Sequence, residues 1–215
     1  MARILCLHGL GGTGATMWPI VAMLSGLGHT VLAPTLPGHG STPDDLVGVG
    51  WGDWLAAARD WPADVVVGQS MGAALALALA AEDRVEAAVV VNPLAPDPDA
   101  VDGVEWRLGR GHEWVDVAPS GLGELAYERL PLTALLSMHQ GLLDLDLAAV
   151  RVPVLVATSA NDDVVDPHSS DVVAAGLGGR VRRLRLARGG HVATLDADRD
   201  RLATAVATFA SGIRT

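Results

Sequence analysis

Residues 65–80 read VVVGQSMGAALALALA. Three successive valines suit a strand covered on both faces, and the unbroken Ala/Leu stretch suits a helix buried on most sides. Between them lies Gly68-Gln69-Ser70-Met71-Gly72. A strand that enters a helix through so short a segment needs a tight turn, and small residues two positions either side of Ser70 let the backbone pass itself without collision. Two readings of Ser70 follow. It is a turn residue flanked by glycine for packing, or it is a nucleophile raised above the sheet with a helix N-terminus beneath it.

Working outward, six short runs have the composition of buried strands: 3–7, 30–34, 64–67, 87–91, 154–158 and 181–186. They are β-branched or leucine-rich and end in Gly, Pro, Asn or Ser. Amphipathic or apolar helical segments alternate with them, among them 51–60 and 70–81, and a final helix over 197–211 has Asp196 as its expected N-cap. Strands alternating with helices predict an α/β fold: a mostly parallel sheet of about six strands with helices on both faces. The rhythm breaks over 93–151, which opens on the punctuated stretch NPLAPDPDA and offers no convincing strand. Helical pieces are expected there around 121–129 and 132–147. The segment exceeds an ordinary crossover, so residues 1–215 read as one domain with a small helical cap inserted at about 93–151.

Composition excludes several functions. A formal charge of −10 argues against a nucleic-acid partner and against stable docking on anionic lipid. Cys6 is the only cysteine, so a disulfide framework is excluded. Its apolar neighbours mark it as a buried strand residue. No apolar run reaches the roughly 20 residues of a membrane span and no signal peptide is legible. A soluble, cytoplasmic protein without stable membrane insertion is expected.

Three further stretches bear on chemistry. LCLHGLGGTG, 5–14, ends the first expected strand. A glycine-rich loop here could cradle a dinucleotide, but the spacing of Gly9, Gly11, Gly12 and Gly14 fits no G-x-G-x-x-G, and no acidic residue ends the second strand. A His-Gly loop suits an oxyanion hole instead, with the Leu10 backbone N–H beside that of Met71; His8 then orients the loop. After the fifth strand, ATSANDDVVDP offers Asp162, Asp163 and Asp166 as acids. Asp162 comes first and is favoured; Asp163 is expected to face solvent and Asp166 to form a turn or cap the next helix. After the sixth strand comes His191, in ARGGHVATLDADRD. Of the histidines, it alone follows both serine and acid at a strand-to-helix junction. His39 reads as a loop-packing residue, His29 and His112 as surface residues, and His139 and His168 as possible pocket linings outside triad order. The order Ser70, Asp162, His191 matches that of α/β hydrolases.

The stretches LHGLGGT, PTLPGHG, GQSMGA, ELAYERLP, NDDVVDP and GHVATLD together resemble the α/β-hydrolase family over almost the whole chain, most closely its small bacterial carboxylesterases and monoacylglycerol lipases. The resemblance implies the α/β-hydrolase fold and a serine hydrolase working through an acyl-enzyme on a small-molecule ester with an apolar acyl chain. It needs no cofactor and no metal. It also selects Asp162, two residues before Val164-Val165. In such enzymes acyl chains bind beneath a cap inserted where 93–151 lies here. That implies Glu124 or Glu128 as a contact for a glycerol moiety, and Trp106, Trp114, Leu135, Leu136 and Met138 as an apolar pocket. The alternatives are solvated charges and the cap's own core. GRGHEWVDV, 109–117, has no counterpart in the family pattern, which leaves the substrate more open than the chemistry. A thioesterase, a C–C hydrolase or a perhydrolase would use the same triad, and a non-catalytic ligand receptor could retain it.

Overall fold

Residues 1–118 and 120–213 are described in a computed structural model of the chain. The strands are β1 (Arg3–Leu7), β2 (Thr30–Leu32), β3 (Val65–Gln69), β4 (Ala87–Val91), β5 (Trp114–Asp116), β6 (Arg129–Pro131), β7 (Val154–Ser159) and β8 (Val181–Leu186). The helices are α1 (Trp18–Gly26), α2 (Trp51–Arg59), α3 (Met71–Ala81), α4 (Pro98–Gly109), α5 (Leu132–Leu143), α6 (His168–Gly176) and α7 (Arg199–Ser211). Six strands form one parallel sheet in the order β2-β1-β3-β4-β7-β8, as expected from the alternation of strands and helices.

The period-two geometry of a strand divides the core in two. Leu5, Leu7, Val66, Ala88, Val90, Val154 and Val156 point to one face, where α2, α3 and α5 add Trp54, Leu75, Met138 and Leu142. Ile4, Cys6, Val65, Val67, Val89, Val91 and Leu155 point to the other, covered by α1 and α7 through Ile20, Leu24, Leu202, Val206 and Phe209. Every residue of α3 from Met71 to Ala80 is buried. Alanine makes this feasible, because a helix enclosed on all sides must approach both sheet and neighbouring helices closely.

Strand ends depart from expectation in instructive ways. β3 runs two residues further, to Gln69, so it delivers the chain directly to Ser70. β2 stops at Leu32. Beyond it the Ala33 carbonyl crosses Gly14 where any side chain would collide with it. α7 begins at Arg199 behind Asp198 rather than behind Asp196. Neither carboxylate caps that helix: both turn toward the loop before His191, as set out below.

The segment between β4 and β7 holds α4 and α5, but it also holds a strand pair that the sequence reading missed. β5 and β6 are antiparallel, with Val115 opposite Leu130. The helix expected over 121–129 does not form. Gly121 and Gly123 take φ of 75° and 76°, a left-handed backbone incompatible with a continuing helix, and Arg129 already belongs to β6. Strands of three residues are too short to leave a legible alternation. Among the described residues, no helix is long and apolar enough to cross a membrane.

Candidate active site

The parallel sheet sends the ends of β1, β3, β4, β7 and β8 to one edge, where ligands of open α/β sheets bind. Ser70 follows β3 with φ 54° and ψ −120°, outside the regions a serine normally occupies. Such a conformation costs on the order of 1–3 kcal/mol and persists only where the surroundings impose it. Here the Ser70 N–H donates to the Val91 carbonyl at 2.9 Å, and the Ser70 carbonyl accepts from the Ala73 N–H at 2.9 Å. The flanking glycines are needed for close approach. A Cβ on Gly68 would strike the Gly72 carbonyl, and one on Gly72 would strike that of Leu7. The turn reading and the nucleophile reading of Ser70 therefore describe one arrangement.

Asp162 and His191 are brought together. His191 Nδ1 lies 2.8 Å from Asp162 Oδ2 and 3.0 Å from Oδ1. The Asp162 side chain is only 2 % exposed and that of His191 13 %. Burial alone would raise the Asp162 pKa, but the hydrogen bond and charge of His191, with the N–H groups of Val165 and Val164, outweigh it and hold the carboxyl below its ordinary value. Those amides donate to Oδ1 at 2.9 Å each. An ionised carboxylate only accepts, so His191 directs its Nδ1–H at Asp162 and turns Nε2 away from it. Asp163 is exposed, and Asp166 accepts from the His168 N–H at 2.8 Å at the start of α6.

On the other side of Ser70, a Cβ on Gly9 would lie 3.2 Å from Ser70 Cβ and 3.7 Å from Oγ, so the loop after β1 runs against the serine. Its turn closes through the Gly12 N–H on the Gly9 carbonyl at 3.1 Å, with Leu10 inside it. Met71, the first residue of α3, is fully buried. His8 holds the loop from beneath: Nδ1–H donates to the Gly9 carbonyl at 2.8 Å and Nε2 accepts from the Leu36 N–H at 3.0 Å. Complete burial, with His39 nearby, pushes its pKa down to about 3, so it stays neutral as a structural strut.

A family model described as "Alpha/beta hydrolase family" matches residues 4–205. The chain belongs to that family. It is 30 % identical over 211 residues to a thermostable monoacylglycerol lipase of Bacillus sp. (strain H-257), covering 91 % of this chain and 84 % of the relative. It is 23 % identical over 214 residues to a carboxylesterase of Bacillus subtilis (strain 168), covering 92 % and 87 %. Among solved structures, one from work on LipS and LipT, two metagenome-derived lipolytic enzymes, superposes with a TM-score of 0.87 at 28 % identity, covering 99 % of this chain and 93 % of that one. The α/β-hydrolase fold expected from the sequence is thereby shown.

The other residues named from the sequence divide by location. Met138 is buried in the main core, and Leu135, half-buried, packs against it. Leu136 is half-buried on α5, and Trp114 lies half-buried on β5 under the Arg129 guanidinium, 4.3 Å from its ring centre. Trp106 is 60 % exposed, with the Arg110 guanidinium 4.1 Å above it. Glu128 is exposed, and Glu124 binds the backbone N–H and the hydroxyl of Ser120. Neither glutamate is joined to Ser70 or His191 by a hydrogen bond among the described residues.

Several residues of this edge went unread in the sequence. Tyr127 ties the insertion to the loops that follow β1 and β2. Its N–H donates to the Gly11 carbonyl at 2.9 Å. Its hydroxyl donates to the Gly38 carbonyl at 3.0 Å and accepts from the Ser41 N–H at 3.2 Å. Gln69 Oε1 accepts from the Thr194 hydroxyl at 3.1 Å, coupling the residue before the serine to the histidine loop. Asp196 takes the Gly190 N–H at 2.7 Å, and buried Asp198 takes the Arg188 N–H at 2.7 Å. The signal available was the paired aspartates five and seven residues after His191, which read naturally as helix caps.

Proposed function

We propose that this chain is a serine hydrolase that cleaves carboxylic esters, short- to medium-chain acyl esters or monoacylglycerols, through an acyl-enzyme with the triad Ser70, Asp162 and His191. The observation that carries the reading is the 2.8 Å bond from His191 Nδ1 to Asp162 Oδ2 on the same sheet edge as a serine held at φ 54°. Similarity to a monoacylglycerol lipase and a carboxylesterase over most of the chain supports the substrate class.

In this mechanism Ser70 Oγ attacks the ester carbonyl while His191 Nε2 takes its proton. The tetrahedral oxyanion receives backbone N–H bonds from Leu10 and Met71. His191 then protonates the leaving alcohol, the C–O bond breaks, and the acyl group stays on Ser70. Water enters, gives a proton to His191 and attacks the acyl-enzyme, and the acid departs as the proton returns to Ser70. Asp162 fixes the tautomer throughout and stabilises the imidazolium in each half. The apolar acyl chain is assigned to the space between the sheet edge and the insertion at 93–151, with Leu135, Leu136, Met138 and Trp114 as its lining and Trp106, Glu124 and Glu128 at its margin.

The test is pre-steady-state hydrolysis of p-nitrophenyl acyl esters. A burst of one nitrophenolate per chain is expected, with covalent labelling of Ser70 by an organophosphonate. Ser70→Ala should lose both and lower kcat by about 10⁶-fold, by analogy with other triad serines. A wild-type protein that neither turns over nor labels would sink the reading. Monoacylglycerols set against acyl thioesters then define the substrate.

A further inference from the structure

Asn92 is the first residue beyond β4, the strand that separates the serine's strand from the acid's in the sheet. It is 2 % exposed and takes φ 47°. Asparagine is among the few non-glycine residues that enter this left-handed region readily, and a fully buried one must satisfy its carboxamide. It does so on two other chain segments, the end of β7 and the histidine loop. Oδ1 accepts from the Ser159 N–H at 2.7 Å. Nδ2 donates to the His191 carbonyl at 2.8 Å and to Ser159 Oγ at 3.0 Å. Orientation of the amide is unambiguous, because a backbone N–H only donates and a backbone carbonyl only accepts.

The neighbours of this residue extend the pattern. Ser159 ends β7, three residues before Asp162. Val91, one residue earlier, carries the carbonyl that holds the Ser70 N–H at 2.9 Å. The Asn92 N–H continues the β4–β7 ladder to the Ala157 carbonyl at 2.9 Å. One residue and its immediate predecessor therefore touch the backbone beside all three members of the proposed triad.

We infer that Asn92 is the positioning residue of this site, its carboxamide fixing the backbone of His191 to the start of the Asp162 loop and thereby to the strand end that holds Ser70. The inference rests on the triad reading above. The donor at Nδ2 is the decisive group. A carboxylate in its place would still accept from the Ser159 N–H but would set an oxygen against the His191 carbonyl. The repulsion moves the histidine backbone and leaves φ at residue 92 undisturbed. Glycine would keep the left-handed backbone and remove the tether altogether.

Two variants, Asn92→Asp and Asn92→Gly, are compared with wild type in the burst experiment, where amplitude counts competent sites and rate reports geometry. A displacement near 1 Å in a catalytic group lowers rate by about 10²-fold. The expected result is a near-full burst amplitude with acylation slowed by about that factor in Asn92→Asp and by less in Asn92→Gly. Wild-type acylation rates in both variants overturn the inference. So does a reduced amplitude with an unchanged rate per titrated site, which is the signature of a residue needed only for folding. The downfield proton resonance of His191 Nδ1 supplies a reading that needs no turnover. It should shift or broaden in Asn92→Asp and hold its position in Ser70→Ala. A wild-type chain that gives no burst but shows this pattern keeps Asn92 in its positioning role while the esterase reading fails. An Nδ1 resonance unmoved in both Asn92 variants refutes the positioning role.

Discussion

The loops that carry Ser70, Asp162 and His191 and the insertion at 93–151 lie at the same edge of the sheet and are built on opposite terms. The loops are joined by buried polar side chains: Asn92, Ser159, Thr194 and Asp198 are each no more than 2 % exposed, and each bonds a different chain segment or its backbone. The insertion is anchored in the apolar core through Ala134, Met138 and Leu142 of α5, while its polar ties to the edge are few, chiefly Tyr127 on Gly11, Gly38 and Ser41 and the Ser137 hydroxyl on the Trp51 N–H at 3.0 Å. It leaves Trp106 and Leu125 60 % and 71 % exposed. Buried, fully paired networks define one arrangement, whereas the exposed part of the insertion ahead of α5 can be altered at little cost to the rest. On the proposed reading, the chemistry falls on the rigid half of the edge and the choice of substrate on the adaptable half.

Short of removing Ser70 itself, the largest expected effect breaks the rigid half at its centre. Asp162→Asn keeps the side-chain volume but can present an amide N–H to His191 Nδ1, favouring the wrong tautomer. A fall in kcat of about 10⁴-fold is expected, by analogy with the same change in other triads. Steady-state kinetics on an activated ester measure it, and a fall below tenfold would transfer the role to Asp163 or Asp166.

Asp198 probes the same half through stability. Its carboxylate is held below the ordinary value first by the Arg188 backbone N–H, then by the Arg188 side chain and the Gly189 N–H, although burial pushes the other way. A folded pKa below the unfolded one means that the contribution is present at neutral pH and down to the unfolded value, and is lost as pH falls through the folded value. Asp198→Ala leaves buried N–H groups unpaired and should cost about 1–3 kcal/mol near pH 7. Thermal unfolding from pH 7 downward should show the gap between variant and wild type closing below the ordinary carboxylate range. A gap independent of pH would assign the loss to packing.

The contrast between the halves also explains what the sequence disclosed. The four inner strands, β1, β3, β4 and β7, were legible because valine and leucine runs covered on both faces have few alternative readings, and the edge strands β2 and β8 because β-branched and leucine residues recur between turn signals. Ser70 and His191 were legible because glycines and chain order constrain them. Asn92 was not. It stood in NPLAPDPDA, where proline and asparagine signal a turn, and nothing local reveals that its amide reaches residues 67 and 99 positions away. Asp196 and Asp198 sit where a helix cap belongs, and only the fold shows that they face back to Gly190 and Arg188. The β5–β6 pair escaped notice because its register joins segments more than a dozen residues apart, each of only three residues. Local pattern reports local structure; the long-range polar bonds that align a site leave little trace in it.

Smaller effects test the adaptable half. Tyr127→Phe removes the hydroxyl between the Gly38 carbonyl and the Ser41 N–H but keeps the ring stacked on His39, centroids 6.3 Å apart. A loss of about 0.5–1.5 kcal/mol in stability is expected, with a rise in KM and little change in kcat. A matching fall in kcat would mean that the insertion also holds the Leu10 loop in place, and the division between halves would have to be redrawn there.

The smallest effect is expected at Trp106. Its ring is exposed and its described partner is Arg110, on the same chain segment, an arrangement worth about 0.5–1 kcal/mol at a surface. Trp106→Ala should therefore change stability by no more than about that amount and leave kcat/KM for short acyl esters within about twofold. Acyl length makes the comparison sharper. On the proposed reading Trp106 stands exposed at the margin of the acyl pocket, so chains of short and medium length alike do without it unless the insertion moves. A series of p-nitrophenyl esters of increasing length, run on Trp106→Ala and wild type, should give a flat ratio. A ratio that falls with each added pair of methylenes would mean that the insertion closes over bound substrate. In that case the exposure of Trp106 describes the open edge alone, and the adaptable half contributes binding energy as well as selectivity.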